Sequence, residues 1–295
     1  MVLPTILSAE LSRVLGKPVQ NEQWVHGGDI NQAARFEVDG MPYFVKWNDS
    51  APPSMFPAEA FGLQILSRAG AVRVPQVIAQ ADARDGCPGY LVLEWIEGSR
   101  SGGIQTMEQF GIALAELHRH TAPTHGLEQD NFIGRLPQPN QPTASWIEFY
   151  RDQRIGYQMT IARQRGRLPA RRESLLTRLL ERLPDLLDDN TMLPSLLHGD
   201  LWGGNYLVDE QGQAVLIDPA VYYGHREMDL AMTELFGGFG GRFYEAYHAT
   251  YPMDSGYAER RALYQLYYIL VHLNLFGEHY GGQVDSIAAH YVGRQ

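Results

Sequence analysis

The sequence predicts an α+β protein in two lobes, a small antiparallel sheet with one packed helix followed by a mostly helical part. Three observations carry this reading. Short strand-like runs crowd the chain before residue 98 and are broken by one long helical pattern. Beyond that point apolar residues recur at intervals of three and four over long segments, the period of a buried helix face. A single pair of short apolar runs, "NYLV" and "AVLI", then interrupts the helices. A chain of 295 residues also exceeds what one compact core usually organises.

In chain order, "TILSAELSRVLG" reads as an amphipathic helix closed by Gly16. "QWVHGG", "AARFEVDG" and "MPYFVKWND" read as strands, with Asp39-Gly40 as the hairpin turn between the last two. "FPAEAFGLQILSRAG" returns to helical period, and "VPQVIAQAD" and "GYLVLEWIEG" are strands again. The pattern changes after Gly98, which places a lobe boundary there: residues 1–98 form the first lobe and 99–295 the second. "MEQFGIALAELHRHT", "WIEFYRDQRIGYQMTIARQ" and "RESLLTRLLERLPDLL" are helices by spacing, and three more are expected after the interrupting hairpin.

Composition narrows the function. Apolar residues at 44% and aromatic residues at 11% fit an ordinary folded protein. A net charge of −10 and a pI near 5.4 count against a nucleic-acid or anionic-membrane partner. Cys87 is the only cysteine, so no intrachain disulfide forms and a reducing compartment is favoured. The start "MVLPTIL" has no cationic segment of a signal peptide. The longest apolar run, Leu263 to Phe276, contains Gln265, His272 and Asn274 and falls short of the roughly 20 residues a bilayer demands. A cytoplasmic location is expected; nothing in the sequence fixes an oligomeric state.

The chemistry concentrates in "LLHGDLWGGNYLVDEQGQAVLIDP", Leu196 to Pro219. "DEQGQ" is a turn with Gly212 where a positive φ would fall. Closing that hairpin brings Asn205 and Asp218 to neighbouring strand ends, with Asp200 on the loop just upstream. An amide oxygen facing a carboxylate makes a hard, oxygen-rich site suited to Mg²⁺. A separate carboxylate nearby can orient a hydroxyl and take its proton. Asp–x₄–Asn followed by a metal-binding Asp after a hairpin is the arrangement of kinase-type phosphoryl transfer. His198-Gly199-Asp200 stands where protein kinases have His-Arg-Asp, and Ile217-Asp218-Pro219 where they have Asp-Phe-Gly. The expected fold is therefore protein-kinase-like.

Such a reaction needs an ATP clamp, and the first lobe offers one in the right order. Lys46 lies near the end of the strand "YFVKW", and Glu59 on the next helix is its natural ion-pair partner. Gly27-Gly28 in "HGGDIN" lies between two strands, as a loop over phosphates should. The connector "LVLEWIEG" places backbone groups of Glu94, Trp95 and Ile96 where an adenine edge could bind. No G-x-x-x-x-G-K-[ST] loop is present, which excludes a P-loop NTPase. "GGFGG", Gly237 to Gly241, follows a helix and reads as a hinge, and His118 reads as a core histidine. Only "PAVYYGHRE" separates Asp218 from the next helix, too little for a polypeptide-docking activation segment. Pro219 also biases Asp218 away from αR geometry, so a small-molecule kinase active without phosphorylation is expected.

At these residues the chain resembles the fructosamine-3-kinase (ketosamine-3-kinase) family, within the aminoglycoside-phosphotransferase-like small-molecule kinases. "HGDLWGGN", "IDPAVYYGHREMDLAMTELFGGF" and "NFIGRLPQPN" with "WIEFYRDQRI" carry the resemblance, over nearly the whole chain. It implies ATP-dependent phosphorylation of the sugar O3 of free or protein-bound ketosamines, giving an unstable product that sheds its sugar. By carry-over, Asp200 is the catalytic base, Asn205 and Asp218 hold Mg²⁺, and Lys46 and Glu59 clamp the nucleotide. Trp202 is a candidate sugar platform, with a core anchor as its equal alternative. Asp229 is a candidate substrate contact, though a brace for the catalytic loop is the stronger reading. Where family members often carry a cysteine in the glycine-rich loop, this chain has Asp29. Glu227, Asp229, Glu234, Glu245 and Asp254 lead to the expectation of an acidic cleft that draws a cationic amine. Two rivals remain open: a kinase of another hydroxylated amine (aminoglycoside, choline or methylthioribose), and a nucleotide-binding regulator without turnover.

Overall fold

The computed structural model describes residues 2–25 and 30–293. Helix α1 (Thr5–Leu15) ends on Gly16 at φ +77°, a left-handed stop that favours glycine. It buries Leu7 and Leu11 against Phe36, Val45 and Trp47 of the first sheet. That sheet comprises β1 (Gln20–Trp24), β2 (Gln32–Val38), β3 (Met41–Asn48), β4 (Val77–Ala81) and β5 (Gly89–Glu94). The spatial order is β1-β2-β3-β5-β4, with every pair antiparallel. Asp39 and Gly40 both take positive φ, 55° and 77°, so the predicted turn has the twist a two-residue hairpin requires. Helix α2 (Met55–Ala69) runs between β3 and β4 and is the one helix packed on the inner face.

The chain crosses to the second lobe through β6 (Gly98–Ser99), a short strand that sequence patterning did not reveal. Four more short strands were equally hidden: β7 (Asn131–Ile133) and β8 (Leu136–Gln138), which form a hairpin, and β9 (Ser195–Leu197) and β12 (Tyr222–Gly224), which pair with each other. The expected hairpin is present as β10 (Tyr206–Asp209) and β11 (Ala214–Leu216), and β6 pairs with β10 on its outer side.

Around these lie α3 (Ile104–His118), α4 (Trp146–Phe149) and α5 (Tyr157–Gln164), the last two joined through a π-helical segment, Tyr150–Gly156. The predicted helix over 172–187 is divided into α6 (Ala170–Glu181) and α7 (Leu183–Leu186), because Pro184 lacks the N–H that would continue it. Four helices, not three, follow the hairpin among the described residues: α8 (Glu227–Leu235), α9 (Gly241–Thr250), α10 (Tyr257–Phe276) and α11 (Gly281–Gly293). "GGFGG" joins α8 to α9 as a hinge-like link.

Helix α10, which contains the longest apolar run, is buried along much of its length at the centre of the largest core. No described helix is long and apolar enough to cross a membrane. A second core joins Phe56, Leu63 and Leu66 of α2 to Phe110 and Leu114 of α3 and Leu216 of β11. The first sheet is thus packed onto the hairpin, and the cavity between them is the natural place for a site.

Candidate active site

Two strand pairings assemble the site. Leu197 of β9 faces Tyr222 of β12, so the chain leaving β9 at His198 runs beside the chain that arrives from Asp218. Tyr206 faces Leu216 in the β10–β11 hairpin, and Ile217 N–H donates to the Asn205 carbonyl at 3.1 Å. The two pairings bring Asp200, Asn205 and Asp218 together, as the spacing predicted. Gly199 sits at φ +85°, and a Cβ there would fall 2.0 Å from the Ala220 carbonyl oxygen, so only glycine fits this crossing. Ala220 N–H donates to the His198 carbonyl at 2.9 Å and ties the two segments. The buried His198 ring lies 3.0 Å from the Ile217 carbonyl through Nε2 and accepts the Asp200 N–H on Nδ1 at 3.3 Å. Burial lowers its pKa, so the ring is neutral and acts as a fixed spacer.

Asp229 completes this loop from beneath. Its carboxylate accepts the N–H of His198 at 2.8 Å and of Gly199 at 2.9 Å, and lies 3.3 Å from the ring Nε2 of His118. The residue is fully buried and does not line the cavity. Asp229 therefore sits as a brace of the catalytic loop, the stronger of its two expected roles, and away from the position of a substrate contact. His118 is the core histidine expected, with its other ring nitrogen 2.8 Å from the Tyr247 hydroxyl.

The Asn205 side-chain amide donates to the Asp200 carboxylate at 3.0 Å and to its backbone carbonyl at 2.9 Å. That leaves Asn205 Oδ1 and Asp200 Oδ1 without a donor among the described residues. Burial pushes the Asp200 carboxyl up to about 7, against the Asn205 hydrogen bond, with the charges of Asp218 and Asp229 pushing the same way as burial. A carboxylate of that kind can take a proton near neutral pH. Asp218 has φ +54°, a left-handed backbone for a residue before proline and a strained one. It aims a half-exposed carboxylate into the cavity beside Asn205. An amide oxygen and a carboxylate, both open to the cavity, are the hard donors that fit Mg²⁺.

On the first-lobe side, Lys46 Nζ lies 2.6 Å from Glu59 Oε1 and 2.6 Å from Asp218 Oδ1. The Lys46–Glu59 pair was expected; the reach to Asp218 was not. Burial works against the Lys46 charge, but Asp218 and Glu59 together override it and hold the ammonium above its usual range. Burial drives Glu59 up to about 7, with Lys46 opposing. Asp218 is the carboxylate that Lys46 holds below its ordinary value, in spite of burial. The connector lies outside the lining of this cavity. Glu94 gives its carboxylate to Arg73 at 2.8 Å and its N–H to the Gln76 carbonyl at 2.9 Å. Gly27, Gly28 and Asp29 lie outside the described residues.

Sequence reasoning missed the support of the segment after Asp218. Asn131 donates to the Val221 carbonyl at 2.7 Å, and Gln138 to the Ala220 carbonyl at 3.2 Å. Gln138 and Asn140 both donate to Asn131 Oδ1, at 2.8 and 2.9 Å. Arg154, on the π-helical segment, donates to Asn140 Oδ1 at 2.8 Å and to the Pro139 carbonyl at 2.7 Å. Its guanidinium is fully buried with no carboxylate partner among the described residues, 4.0 Å from the Tyr222 ring and 4.4 Å from that of Phe149. The available signal was polar residues inside "NFIGRLPQPN" and one arginine inside an apolar helix pattern.

The five carboxylates expected to form an acidic cleft do not line the cavity. Glu227 is paired with Arg260, Glu234 with Arg261, Glu245 with Arg242 and Asp254 with Arg226, while Asp229 is buried. None of these carboxylates lines the cavity, whose acids are Glu59, Asp200 and Asp218. Composition counted the charges but could not show that arginines had already claimed them. His225, Glu227 and Asp254 come within reach of one ion, but Arg260 and Arg226 hold the two carboxylates. Trp202 is 38% exposed at the cavity wall, edge-on to Phe236 at 6.3 Å. That is the position of a contact surface rather than a core anchor.

Comparison with known proteins gives the family and the fold. The family model described as fructosamine kinase matches residues 4–293. A protein of Synechocystis sp. named as a probable ketoamine kinase is 41% identical over 286 residues, covering 95% of this chain and 94% of that one. The chloroplastic protein-ribulosamine 3-kinase of Arabidopsis thaliana is 40% identical, over 91% of this chain and 81% of its own. Among solved structures, a Thermobifida fusca protein named as a candidate fructosamine-3-kinase is 35% identical, with a TM-score of 0.87, covering 98% of this chain and 99% of that one. An aminoglycoside phosphotransferase in complex with ADP and hygromycin B, 17% identical with a TM-score of 0.65 over 99% of this chain and 100% of that one, shares the two-lobed fold. The chain belongs to the fructosamine kinase family.

Proposed function

We propose that the protein transfers the γ-phosphoryl group of ATP to the O3 hydroxyl of ketosamines, sugars joined to an amine through glycation. The observation that carries this reading is the gathering of Lys46, Glu59, Asp200, Asn205 and Asp218 around one cavity, in a chain whose relatives are named as ketoamine and ribulosamine kinases. Residues 1–98 serve as the nucleotide lobe, and residues 99–295 supply the catalytic loop and the sugar surface.

The residues divide the work as follows. Asp200 accepts the proton of the attacking hydroxyl through the oxygen that Asn205 leaves free. Asn205 Oδ1 and Asp218 hold Mg²⁺, which when bound neutralises charge on the phosphates. Lys46, between Glu59 and Asp218, offers its ammonium to phosphate oxygens while Glu59 keeps it in place. The backbone of residues 94–96 holds the base, Gly27 and Gly28 cover the phosphates, and Trp202 packs on the sugar. Neutral His198 and braced Asp229 keep Asp200 at the right distance and touch no substrate.

The test is a phosphorylation assay on free ketosamines of several sugars, with NMR of the product to locate the phosphate. Turnover is expected on ribulosamine and not on ribulose, with phosphate on O3. Trp202→Ala is expected to lose more activity than Trp202→Phe. Equal rates on the amine-free sugar, or phosphate on another hydroxyl only, would overturn the ketosamine assignment and leave a kinase of another substrate.

A further inference from the structure

Two kinds of side chain line the cavity. Lys46, Glu59, Asp200, Asn205 and Asp218 have their tasks in phosphoryl transfer, whereas the rings of Trp202, His272 and Phe276 have none in that step. Phe236, outside the cavity lining, joins these rings into one series. Its ring centroid lies 6.3 Å from that of Trp202 and 4.8 Å from that of His272, and His272 lies 5.4 Å from Phe276. Three separate elements supply the series. Trp202 comes from the catalytic loop, and Phe236 directly follows α8, where the link to α9 begins. His272 and Phe276 stand one turn apart on the same face of α10.

Packing of the fold does not account for the series. Trp202, Phe236 and Phe276 are 38%, 40% and 45% exposed and belong to none of the three cores. Single exposed apolar residues are ordinary, but adjoining rings that open onto a reaction cavity mark a contact surface. Two of the rings are also held in position. Gly204 makes room for the indole of Trp202, since a Cβ there would fall 2.2 Å from that ring. His272 Nδ1 donates to the Tyr268 carbonyl at 2.7 Å, which fixes the imidazole. Burial holds the His272 pKa below its ordinary value, so the series is uncharged. An uncharged aromatic surface that is already ordered loses little freedom when covered, and it favours apolar groups, above all other rings.

We propose that Phe236, His272 and Phe276 extend the sugar surface of Trp202 into a subsite for the substituent on the substrate's amine, and that this subsite favours apolar substituents, aromatic ones most. The proposal deepens the ketosamine-kinase reading and rests on it. With O3 at Asp200 and the sugar on Trp202, the rings that adjoin Trp202 are the surface the amine's substituent meets. The shared chemistry is an apolar group, supplied either by the body of a free amine or by a side chain next to a glycated lysine in a peptide.

The test compares the ribulosamine of phenethylamine with that of methylamine, at saturating ATP and Mg²⁺. The aromatic compound is expected to show a KM about fivefold lower, the scale of one aromatic contact, with the two kcat values within about twofold. The gap is expected to persist as salt rises, because no charge makes the contact. Phe276→Ala and Phe236→Ala are each expected to close most of the gap through KM, and Phe276→Tyr is expected to keep it. Both rings stand outside the cores, so the melting temperature is expected to move little in all three variants. Peptides bearing the sugar on lysine, with a phenylalanine or a serine neighbour, separate the two sources of the apolar group, and an aromatic preference in either setting supports the subsite. One KM for both amines and for both peptides, or a gap that Phe276→Ala and Phe236→Ala leave intact, overturns the subsite and leaves the kinase standing. Turnover of no ketosamine overturns both.

Discussion

On the first-lobe side of the cavity, geometry is set by three charges: Lys46 bridges Glu59 and Asp218, each at 2.6 Å. On the second-lobe side, the segments at 198–205 and 218–221 are held by backbone hydrogen bonds, side-chain amides and the buried carboxylate of Asp229. Coulomb attraction between mobile side chains is redistributed by any added cation, whereas a saturated hydrogen-bond network is not. The charged wall is therefore the part an added cation would perturb, and the hydrogen-bonded wall is the reference against which that would show. Asp218 belongs to both, with its backbone in one wall and its carboxylate in the other.

The largest effects are expected where the walls meet. Asp218→Ala removes a metal donor and frees Lys46, so activity is expected to fall by about 10³-fold or more, with extra Mg²⁺ rescuing it poorly. Asp200→Asn is expected to keep nucleotide affinity while lowering turnover by about 10²-fold or more. Near-normal kcat in either variant would break the assignment. For the charged wall, Lys46→Ala and Glu59→Ala are each expected to weaken productive ATP binding, and the double variant to cost less than the sum. Strict additivity would mean that the two do not work as one clamp.

For the hydrogen-bonded wall, Asp229→Asn turns an N–H donor toward a backbone N–H of His198 or Gly199. One buried donor loses its acceptor, at a cost of about 1–3 kcal/mol in a denaturant melt, and kcat is expected to drop without a matching rise in KM for ATP. A melt identical to that of the parent chain would show that the brace is dispensable. The smallest effect is the response to pH. With Asp200 at about 7 in the free protein, kcat/KM is expected to rise with pH and level off, with a midpoint no higher than about 7 because bound cations favour the carboxylate. The sign for stability is opposite. The folded protein keeps the Asp200 proton above the ordinary value of 3.8, so this group's contribution to stability falls as pH rises from about 4 to about 7. A profile that stays flat down to about pH 4, the ordinary aspartate range, would remove Asp200 as the titrating base.

The same contrast explains what the sequence disclosed. Asp200, Asn205 and Asp218 were legible because a short hairpin fixes their relation locally, and Lys46 with Glu59 because one strand and the next helix do so. Asn131, which reaches Val221 ninety residues later, was not, because a polar side chain on a three-residue strand has no periodicity to betray its partner. The π-helical turn at 150–156 was invisible because it keeps nearly the apolar spacing of the α-helix around it. The acidic cleft was misjudged for a related reason, since pairing with arginines is a property of the fold and not of the count.

Arg154 ties this wall together. Its charge lies over the rings of Tyr222, Phe149 and Tyr267 and is shared with three neutral acceptors, so neither lysine nor a carboxylate-bound arginine could take its place without stranding Asn140. Through Asn140 and Asn131 it fixes the carbonyl of Val221, and no slack remains between Pro219 and α8 for an incoming signal to exploit. Residues 220 and 221 are thus held by the fold itself, with their carbonyls already engaged by Gln138 and Asn131.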